Sequence, residues 1–532
     1  MTPGTRGSDP ASHSPARNSH GRAAGLLRDA AIVSLLGLVL YAATLAPSVL
    51  WADEAHLQMN AVQRTLEASA GSHPLWVWIS HQFTRLPLGS VAGRVNFVSA
   101  LFGAVTLGVM VLVLRELDLD RGPSFLAVAA LAVANTFWTY SVRAEIYTLA
   151  LAFMALEIWL GLRWFRTGGT GYLVGLAITV GLGLAAHLLV VLFIPALLWL
   201  LWQGRAQLDA RGVTLSSLAL AVAASPLLIL LVRDARTYGM GLDETVRWAL
   251  FSFEGYDFSG AFFDFSLAMF PSDLFEWVAF LGIQFVGLSG LCGLLGMVKS
   301  GRLLQGPRAI YLALLYAGGF AFAFAYRVGD RYVFYLPSYL PFVIWIGLGW
   351  QWVGERWGRQ GQPVLAWRWS YALLAGLVVL IPVGAYRAAP ELVARGITFR
   401  DTRRVPGPGG RYFFLWPPKA GYFDAQVYAE QALAVAPEHA FLLADPILSS
   451  PVQFLQVVEG TRPDVTVRYC CWDIEEALAE ADGRPVALAD LAPEVYPVEW
   501  LRETYHIRSV EPLYLLTREG REETAGRPPH HP

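Results

Sequence analysis

Two carboxylates stand side by side at Asp53-Glu54, with His56 close behind them, directly after an apolar stretch. Adjacent acids in such a place can supply a general base, the second tuning the charge of the first or binding substrate. Asp53-x-x-His56 is also half of a metal-ligand pattern, although no companion motif completes it, and both acids would equally cap a helix beginning near Ala55. Arg143-Ala-Glu145-Ile-Tyr147 offers a guanidinium suited to a phosphate and a carboxylate able to hold it or to contact a sugar hydroxyl. The same Arg and Glu would also close a helical hairpin as an ion pair. His187 follows Gly181 and Gly183 in an apolar run; it suits a phosphate or polar headgroup, or a hydrogen-bonded place at a helix junction. In Gly329-Asp330-Arg331-Tyr332 the Arg could meet an anionic headgroup and the Tyr pack on lipid or sugar, or both could form an interfacial belt.

The elements that carry these residues are set by composition. The chain has 532 residues, of which 55% are hydrophobic and 15% charged, against about 25% charged in soluble proteins. Its mean hydropathy is +0.44, and it contains 19 Trp, 21 Tyr and 29 Phe, a load that suits membrane interfaces. This excludes a soluble protein. A net charge of −2 provides no basic surface for nucleic acid. Three cysteines (Cys292, Cys470, Cys471) make no disulfide framework, and the adjacent pair reads as a strand end. A P-loop and a dinucleotide-binding fingerprint are absent from the sequence.

Apolar stretches of spanning length recur near 30–47, 94–114, 123–138, 145–162, 171–186, 188–202, 214–232, 276–298, 308–325, 333–353 and 370–387, about eleven in all. With a cytoplasmic N-terminus, the inner loops carry Arg115, Arg121, Arg163, Arg166, Arg205, Arg211, Lys299, Arg302, Arg308, Arg356, Arg359 and Arg368. The outer segments hold fewer, chiefly Arg64, Arg85, Arg143, Arg327 and Arg331, as the positive-inside rule requires. The predicted organisation is a disordered cytoplasmic N-terminus (1–28), a transmembrane domain (29–387) with a long first outer loop (48–93), a linker (388–421), a soluble extracytoplasmic α/β domain (422–518) and a disordered tail (519–532). In the soluble part, helices are expected at 424–435, 453–459 and 474–481, and strands at 440–444, 465–469, 486–488 and 512–516.

In this topology Asp53, Glu54, His56, His73, His81, Arg143, Glu145, His187, Asp330 and Arg331 all fall on the outer side. Ionisable groups near a membrane are expensive, so their gathering at one level points to one extracytoplasmic site.

The motifs also resemble a known family. Thr44-Leu-Ala-Pro-Ser-Val-Leu-Trp-Ala-Asp-Glu54, Arg94-Val-Asn-Phe-Val-Ser-Ala-Leu-Phe-Gly-Ala104 and Phe137-Trp-Thr-Tyr-Ser-Val-Arg-Ala-Glu-Ile-Tyr147 are similar to segments of the DUF2723/TMEM260-like proteins, a branch of the GT-C membrane glycosyltransferases. So are Gly183-Leu-Ala-Ala-His187, Asp330-Arg-Tyr332 with Leu336-Pro-Ser-Tyr339, and Val457-Val-Glu-Gly-Thr-Arg-Pro-Asp-Val465. The resemblance is strongest over 35–205 and continues in patches to about 470. It departs at Glu54-Ala55-His56, where the family often has small residues and Glu-Phe, and at His73-Pro74-Leu75-Trp76, where it has a His-Pro-Pro-Gly-type segment.

The resemblance implies a polytopic GT-C-like helical fold with a small C-terminal α/β domain, and sugar transfer from a polyprenyl-phosphate donor outside the cytoplasm. It implies that Asp53 is the essential first-loop acid. Glu54, His56, His73, Arg94, Arg143, Glu145, Tyr147, His187, Asp330, Arg331 and Tyr332 would then be substrate-binding. The expected partners are the lipid-linked sugar, the bilayer and an acceptor among proteins, lipids and glycans, with mannosyl transfer one form of the reaction. No cofactor is firmly implied, and nothing in the sequence supports a divalent metal. Two other classes compete: a transporter or flippase for a lipid-linked or anionic substrate, and an inactive carbohydrate-binding relative. Transporters place charges and broken helices near the midplane with symmetry between halves, whereas here the charges cluster on the outer face.

Overall fold

The computed structural model describes residues 15–66, 70–253, 256–257, 259–263, 266–304, 306–358, 364–396, 405–470 and 474–517. Its first half comprises α1 (Pro15–Ala43), α2 (Asp53–Gln63), α3 (Pro74–Thr84), α4 (Val91–Glu116), α5 (Arg121–Ala132), α6 (Asn135–Ser141), α7 (Tyr147–Thr167), α8 (Thr170–Ala186), α9 (Ile194–Gln203), α10 (Ala210–Ala223), α11 (Ser225–Tyr238) and α12 (Leu242–Phe251). A small antiparallel pair, β1 (Ser252–Phe253) and β2 (Tyr256–Asp257), precedes α13 (Ser259–Phe263). Then come α14 (Phe270–Gln284), α15 (Leu288–Leu303), α16 (Arg308–Ala325), α17 (Leu336–Gly358) and α18 (Val364–Ala394).

Six described helices are individually long and apolar enough to cross a membrane, and three further pairs pass the same test together but are bent by more than 40° at a short break. Starts and stops follow local chemistry. Ser90 accepts a hydrogen bond from the Gly93 N–H to cap α4, Asp209 does the same from Gly212 for α10, and Pro stands in the first turn of α3, α9, α11 and α14.

The bends correct the sequence reading in one place. The stretch 276–298, expected as one span, is broken by a 117° turn between α14 and α15. The stretches 123–138 and 214–232 bend by 67° and 55°. The first two bends meet, because the Gln284 side chain accepts from the Thr136 N–H at 2.7 Å and donates to the Thr136 hydroxyl at 2.7 Å. A side-chain amide thus satisfies backbone that a broken helix leaves open in an apolar surrounding. Close packing of α15 on α17 depends on small residues: a side chain at Gly296 would run into the Trp345 carbonyl, and one at Gly349 into that of Cys292.

Charges mark one end of the bundle. Glu116 pairs with Arg163 (3.2 Å) and Arg166 (3.4 Å), Asp118 with Arg166 (3.2 Å) and Arg308 (3.7 Å), and Asp29 with Arg121 (2.6 Å). The predicted inner loops therefore come together. Helix α1 starts at Pro15, so residues 15–28 are helical where disorder was expected; the run from Ala23 to Leu27 is made largely of good helix formers. Residues 1–14 and the tail 519–532 lie outside the described residues.

The C-terminal part carries β3 (Phe441–Ala444), β4 (Thr466–Tyr469), β5 (Val486–Leu488), β6 (His506–Val510) and β7 (Leu513–Thr517). Its helices are α19 (Asp424–Val435), α20 (Pro446–Glu459), α21 (Ile474–Glu480) and α22 (Val498–Thr504). The sheet order is β4-β3-β5-β7-β6, parallel across β4, β3 and β5 and antiparallel across β5, β7 and β6. Leu442 pairs with both Val467 and Ala487, which places the fully buried β3 at the centre of the parallel part.

The segment 405–421, part of the stretch read as a linker or interfacial loop, is packed against the bundle. Val405 and Phe413 join Ala46, Val49, Leu50, Trp51, Ala55, Tyr428 and Leu448 in one hydrophobic cluster. The Trp51 indole N–H donates to the Tyr422 hydroxyl at 2.7 Å, and the Lys419 N–H to the Thr44 carbonyl at 2.8 Å. This part of the chain therefore closes over the end of the bundle opposite the Glu116 cluster.

Candidate active site

Helix α2 places the first-loop acids. It starts at Asp53, and its N-cap residue, Ala52, makes no side-chain cap and holds a φ of 52°. Asp53 is exposed, and Glu54 turns inward, 4% exposed. Arg143 and Glu145 come from the short turn between α6 and α7 and are 4% and 5% exposed. The Arg143 guanidinium meets Glu54 at 2.7 Å and Glu145 at 3.4 Å, lies 4.1 Å from the centre of the Tyr140 ring, and leaves its Nε without a partner.

This turn is held by neutral side chains that sequence reasoning passed over. Asn96 Oδ1 accepts from the Ala144 N–H and from the Gln58 amide, both at 2.8 Å, while its Nδ2 donates to the carbonyls of Ala46 (2.9 Å) and Ser48 (3.2 Å). The Ser99 hydroxyl accepts from the Glu145 N–H and donates to its carbonyl, which also receives the Trp76 indole N–H. One face of α4 thus fixes both the segment entering α2 and the Arg-Ala-Glu turn. The signal was present in the Arg94-Val-Asn-Phe-Val-Ser motif, where Asn96 and Ser99 share a helical face.

Aromatic contacts extend the site. Tyr140 packs on Tyr147 (5.3 Å) and Tyr332 (6.4 Å), and Tyr147 on His187 (5.4 Å), which stacks on His73 at 4.8 Å. The His187 Nδ1 accepts from the Leu189 N–H at 3.0 Å, so its proton sits on Nε2. The His73 Nδ1 donates to the Ala186 carbonyl at 3.1 Å. Burial, with His73 beside it, holds the His187 pKa well below the usual histidine value, so the ring is neutral.

Of the predicted residues, Glu54, Arg143, Glu145, Tyr147, His187, His73 and Tyr332 form one continuous set of contacts. Asp53 and half-buried Asp330 act electrostatically on Glu145, and His56 lies half-buried on α2. Arg94 is not brought in: it donates to the Leu86 carbonyl in the loop before α4. Arg331 is buried but turned to Asp273 (2.8 Å) and Glu276 (2.7 Å), with Arg327 also on Asp273 (2.6 Å), so its charge is already matched by α14. Missing from the predicted set is Lys419, 1% exposed, from the segment expected to be a linker.

The electrostatics are those of a buried, shared charge. Burial raises the pKa of Glu54 and raises that of Glu145 well above the ordinary carboxyl value, and Arg143 only partly offsets this. Two buried carboxyls share one guanidinium, with the shorter contact to Glu54, and burial pushes both toward the protonated form, Glu145 more strongly. Burial, and then Arg143, push the Lys419 ammonium well below the usual lysine value. Among the described residues, no group of three or more His, Cys, Asp or Glu is placed to hold a metal ion. A cavity of about 680 Å³ lies elsewhere, lined by residues such as Leu242, Val246 and Leu250, and none of the predicted site residues line it.

Residues 61–209 match the family model described as the protein O-mannosyl-transferase TMEM260 N-terminal domain. Protein O-mannosyl-transferase TMEM260 of Mus musculus is 27% identical over 211 residues, 38% of this chain, and the matched stretch spans only 29% of the mouse protein. ArnT from Cupriavidus metallidurans, in its structure bound to undecaprenyl phosphate, superposes with a TM-score of 0.54 at 12% identity over 93% of this chain and 98% of ArnT. In the apo state the TM-score is 0.52 at 14% identity, over 91% and 97% of the two chains. The resemblance to TMEM260-like proteins is thus shown over the stretch that carries His73, Arg143, Glu145 and His187. The fold is a polytopic GT-C-like membrane fold with a small C-terminal sheet.

Proposed function

We propose, from the premise that residues 61–209 form a domain of the protein O-mannosyl-transferase TMEM260 type, that this protein is a membrane glycosyltransferase. It takes a sugar from a polyprenyl-phosphate donor and passes it to an acceptor hydroxyl on the extracytoplasmic side. The observation that carries the reading is the buried Glu54–Arg143–Glu145 group with Asp53 exposed beside it, at the end of the bundle covered by residues 405–423. The likeness to ArnT supports it through the fold.

In this reading the N-terminus is cytoplasmic, the Glu116 cluster lies on the inner side, and the C-terminal sheet stands outside. The acceptor oxygen bonds to the anomeric carbon as the bond from that carbon to the phosphate oxygen breaks with its electron pair. Asp53, exposed and one residue from the buried pair, takes the hydroxyl proton. Arg143 faces the phosphate as it gains charge, while protonated Glu145 donates a hydrogen bond. Tyr147, His73 and His187 line the approach of the sugar. Clustering of the charges at one end of the bundle favours transfer over transport.

The test is transfer of radiolabelled sugar from polyprenyl-phosphate donors in membranes containing the wild type or Asp53→Asn. Loss of transfer in the variant, with expression and thermal stability intact, is the expected result. Unchanged transfer removes Asp53 from the chemistry.

A further inference from the structure

Lys419 is an unusual residue for a loop between a membrane helix and a soluble sheet, because it is almost wholly buried. Burying an ammonium is costly without compensating partners. Its Nζ donates to the Trp416 carbonyl and to the Pro417 carbonyl at 3.2 Å. No described carboxylate comes within ion-pair distance of it. It faces the Phe413 ring at 5.6 Å, and Arg143 faces the same ring at 5.9 Å. Glu54 and Arg143 both act on it electrostatically.

The backbone around it is fixed to the membrane part. The Lys419 N–H reaches the Thr44 carbonyl, Asn135 donates to the Leu415 carbonyl at 3.3 Å, and Ser48 donates to the Tyr422 carbonyl at 3.2 Å. The Lys-bearing turn is therefore built into the wall of the site and not merely laid over it. Charge counting then separates the two cations. Arg143 is paired with Glu54 at 2.7 Å, while among the described residues Lys419 has neutral carbonyls and an aromatic face. The buried Arg143 Nε has no hydrogen-bond partner among the described residues.

Resting on the glycosyltransferase reading, we infer that Lys419 is a donor-binding residue. Its ammonium, with Arg143 Nε, receives the phosphate of the lipid-linked sugar and of the lipid phosphate that leaves. When the bond from sugar to phosphate breaks, the phosphate gains a negative charge; an anion beside Lys419 favours its ammonium form, and no described carboxylate within ion-pair distance already occupies it. The C-terminal segment is then part of the transferase site, and cutting the chain after the last membrane helix would remove half of the phosphate clamp.

The experiment measures binding of undecaprenyl phosphate and of undecaprenol to the full chain in detergent, for wild type, Lys419→Gln and Lys419→Arg. The wild type is expected to prefer the phosphate over the alcohol by about tenfold or more. Lys419→Gln should lose most of that preference while binding the alcohol as before, and Lys419→Arg should restore it. If the wild type shows no preference for the phosphate, the glycosyltransferase reading fails and this inference with it. If Lys419→Gln keeps the full preference, only the inference about Lys419 is overturned. Equal weakening toward both lipids also overturns it, because Lys419 would then be a wall residue without a phosphate role.

Discussion

The guanidinium of Arg143 meets the carboxylate of Glu54 at 2.7 Å, with both side chains 5% exposed, joining the turn before α7 to the first turn of α2. Removing one member of a buried pair leaves the other charged and unmatched, which costs about 3–5 kcal/mol. Glu54→Ala should therefore lower the unfolding temperature in detergent markedly and abolish transfer. Glu54→Ala combined with Arg143→Met should recover much of the stability but none of the activity. Additive losses in such a double-mutant cycle would show that the two side chains are not coupled.

Arg94 and Asn96 stand two residues apart on α4 and predict opposite outcomes. Asn96→Ala opens bonds to Ala144, Gln58, Ala46 and Ser48, all in buried surroundings. Each buried group left without a partner costs about 1–3 kcal/mol, so poor folding and loss of transfer are expected. Arg94→Ala removes a bond to a loop carbonyl and should leave transfer within about threefold of wild type, a change under about 1 kcal/mol. Transfer rates and melting temperatures of the two variants check this. A severe defect in Arg94→Ala with a mild one in Asn96→Ala would contradict the structure.

The contrast also shows what was legible in the sequence. Apolar length and the placement of Arg in loops marked the spans, because lipid imposes both directly. Glu54, Arg143, Glu145 and His187 stood out because ionisable groups near a membrane need a reason. Asn96, Ser99 and Gln58 carry no charge, and nothing in composition distinguishes them from other polar helix residues. Lys419 was hidden because Pro417, Pro418, Gly421 and nearby arginines make its segment look like a linker or interfacial loop; only the tertiary fold buries it. The α14–α15 bend was missed for a related reason, as hydropathy records apolar length and is blind to a turn whose open Ile283 carbonyl receives the Tyr386 hydroxyl of α18 at 2.7 Å. Strand β6, His506–Val510, lies at the sheet edge with its polar residues exposed and lacks the apolar run that revealed β3.

Glu145 predicts a pH dependence of stability. Burial raises its pKa well above the ordinary 4.5 in the folded protein. Below 4.5 the folded and unfolded chains both hold the proton, and its contribution to stability is fully present. As pH rises, the unfolded chain releases the proton first, and stability falls by up to about 1.4 kcal/mol per pH unit until the folded value is passed. Glu145→Gln cannot titrate, so its melting temperature should fall less steeply than that of the wild type between about pH 5 and pH 8. Glu54, raised in the same direction, contributes to the slope that remains, and His187, lowered by burial, opposes it. Parallel profiles for wild type and variant would remove the raised carboxyl.

Gln284 predicts how far the bends matter to the site. Its amide is the described side-chain partner that the Thr136 N–H and hydroxyl share at the break before α6, the helix that leads to Arg143. Gln284→Leu keeps the volume roughly constant but leaves both Thr136 groups without this partner in apolar surroundings, at a cost of about 1–3 kcal/mol for each. Thr136→Val in the same chain repairs only the hydroxyl, because the N–H belongs to the backbone. The expected order of melting temperatures is therefore wild type highest, the double variant next and Gln284→Leu lowest. Transfer should fall in both variants, since a shift of about 1 Å in a reacting group can cost on the order of a hundredfold. A Gln284→Leu protein as stable and as active as wild type would show that the break at residues 133–134 is held by other contacts.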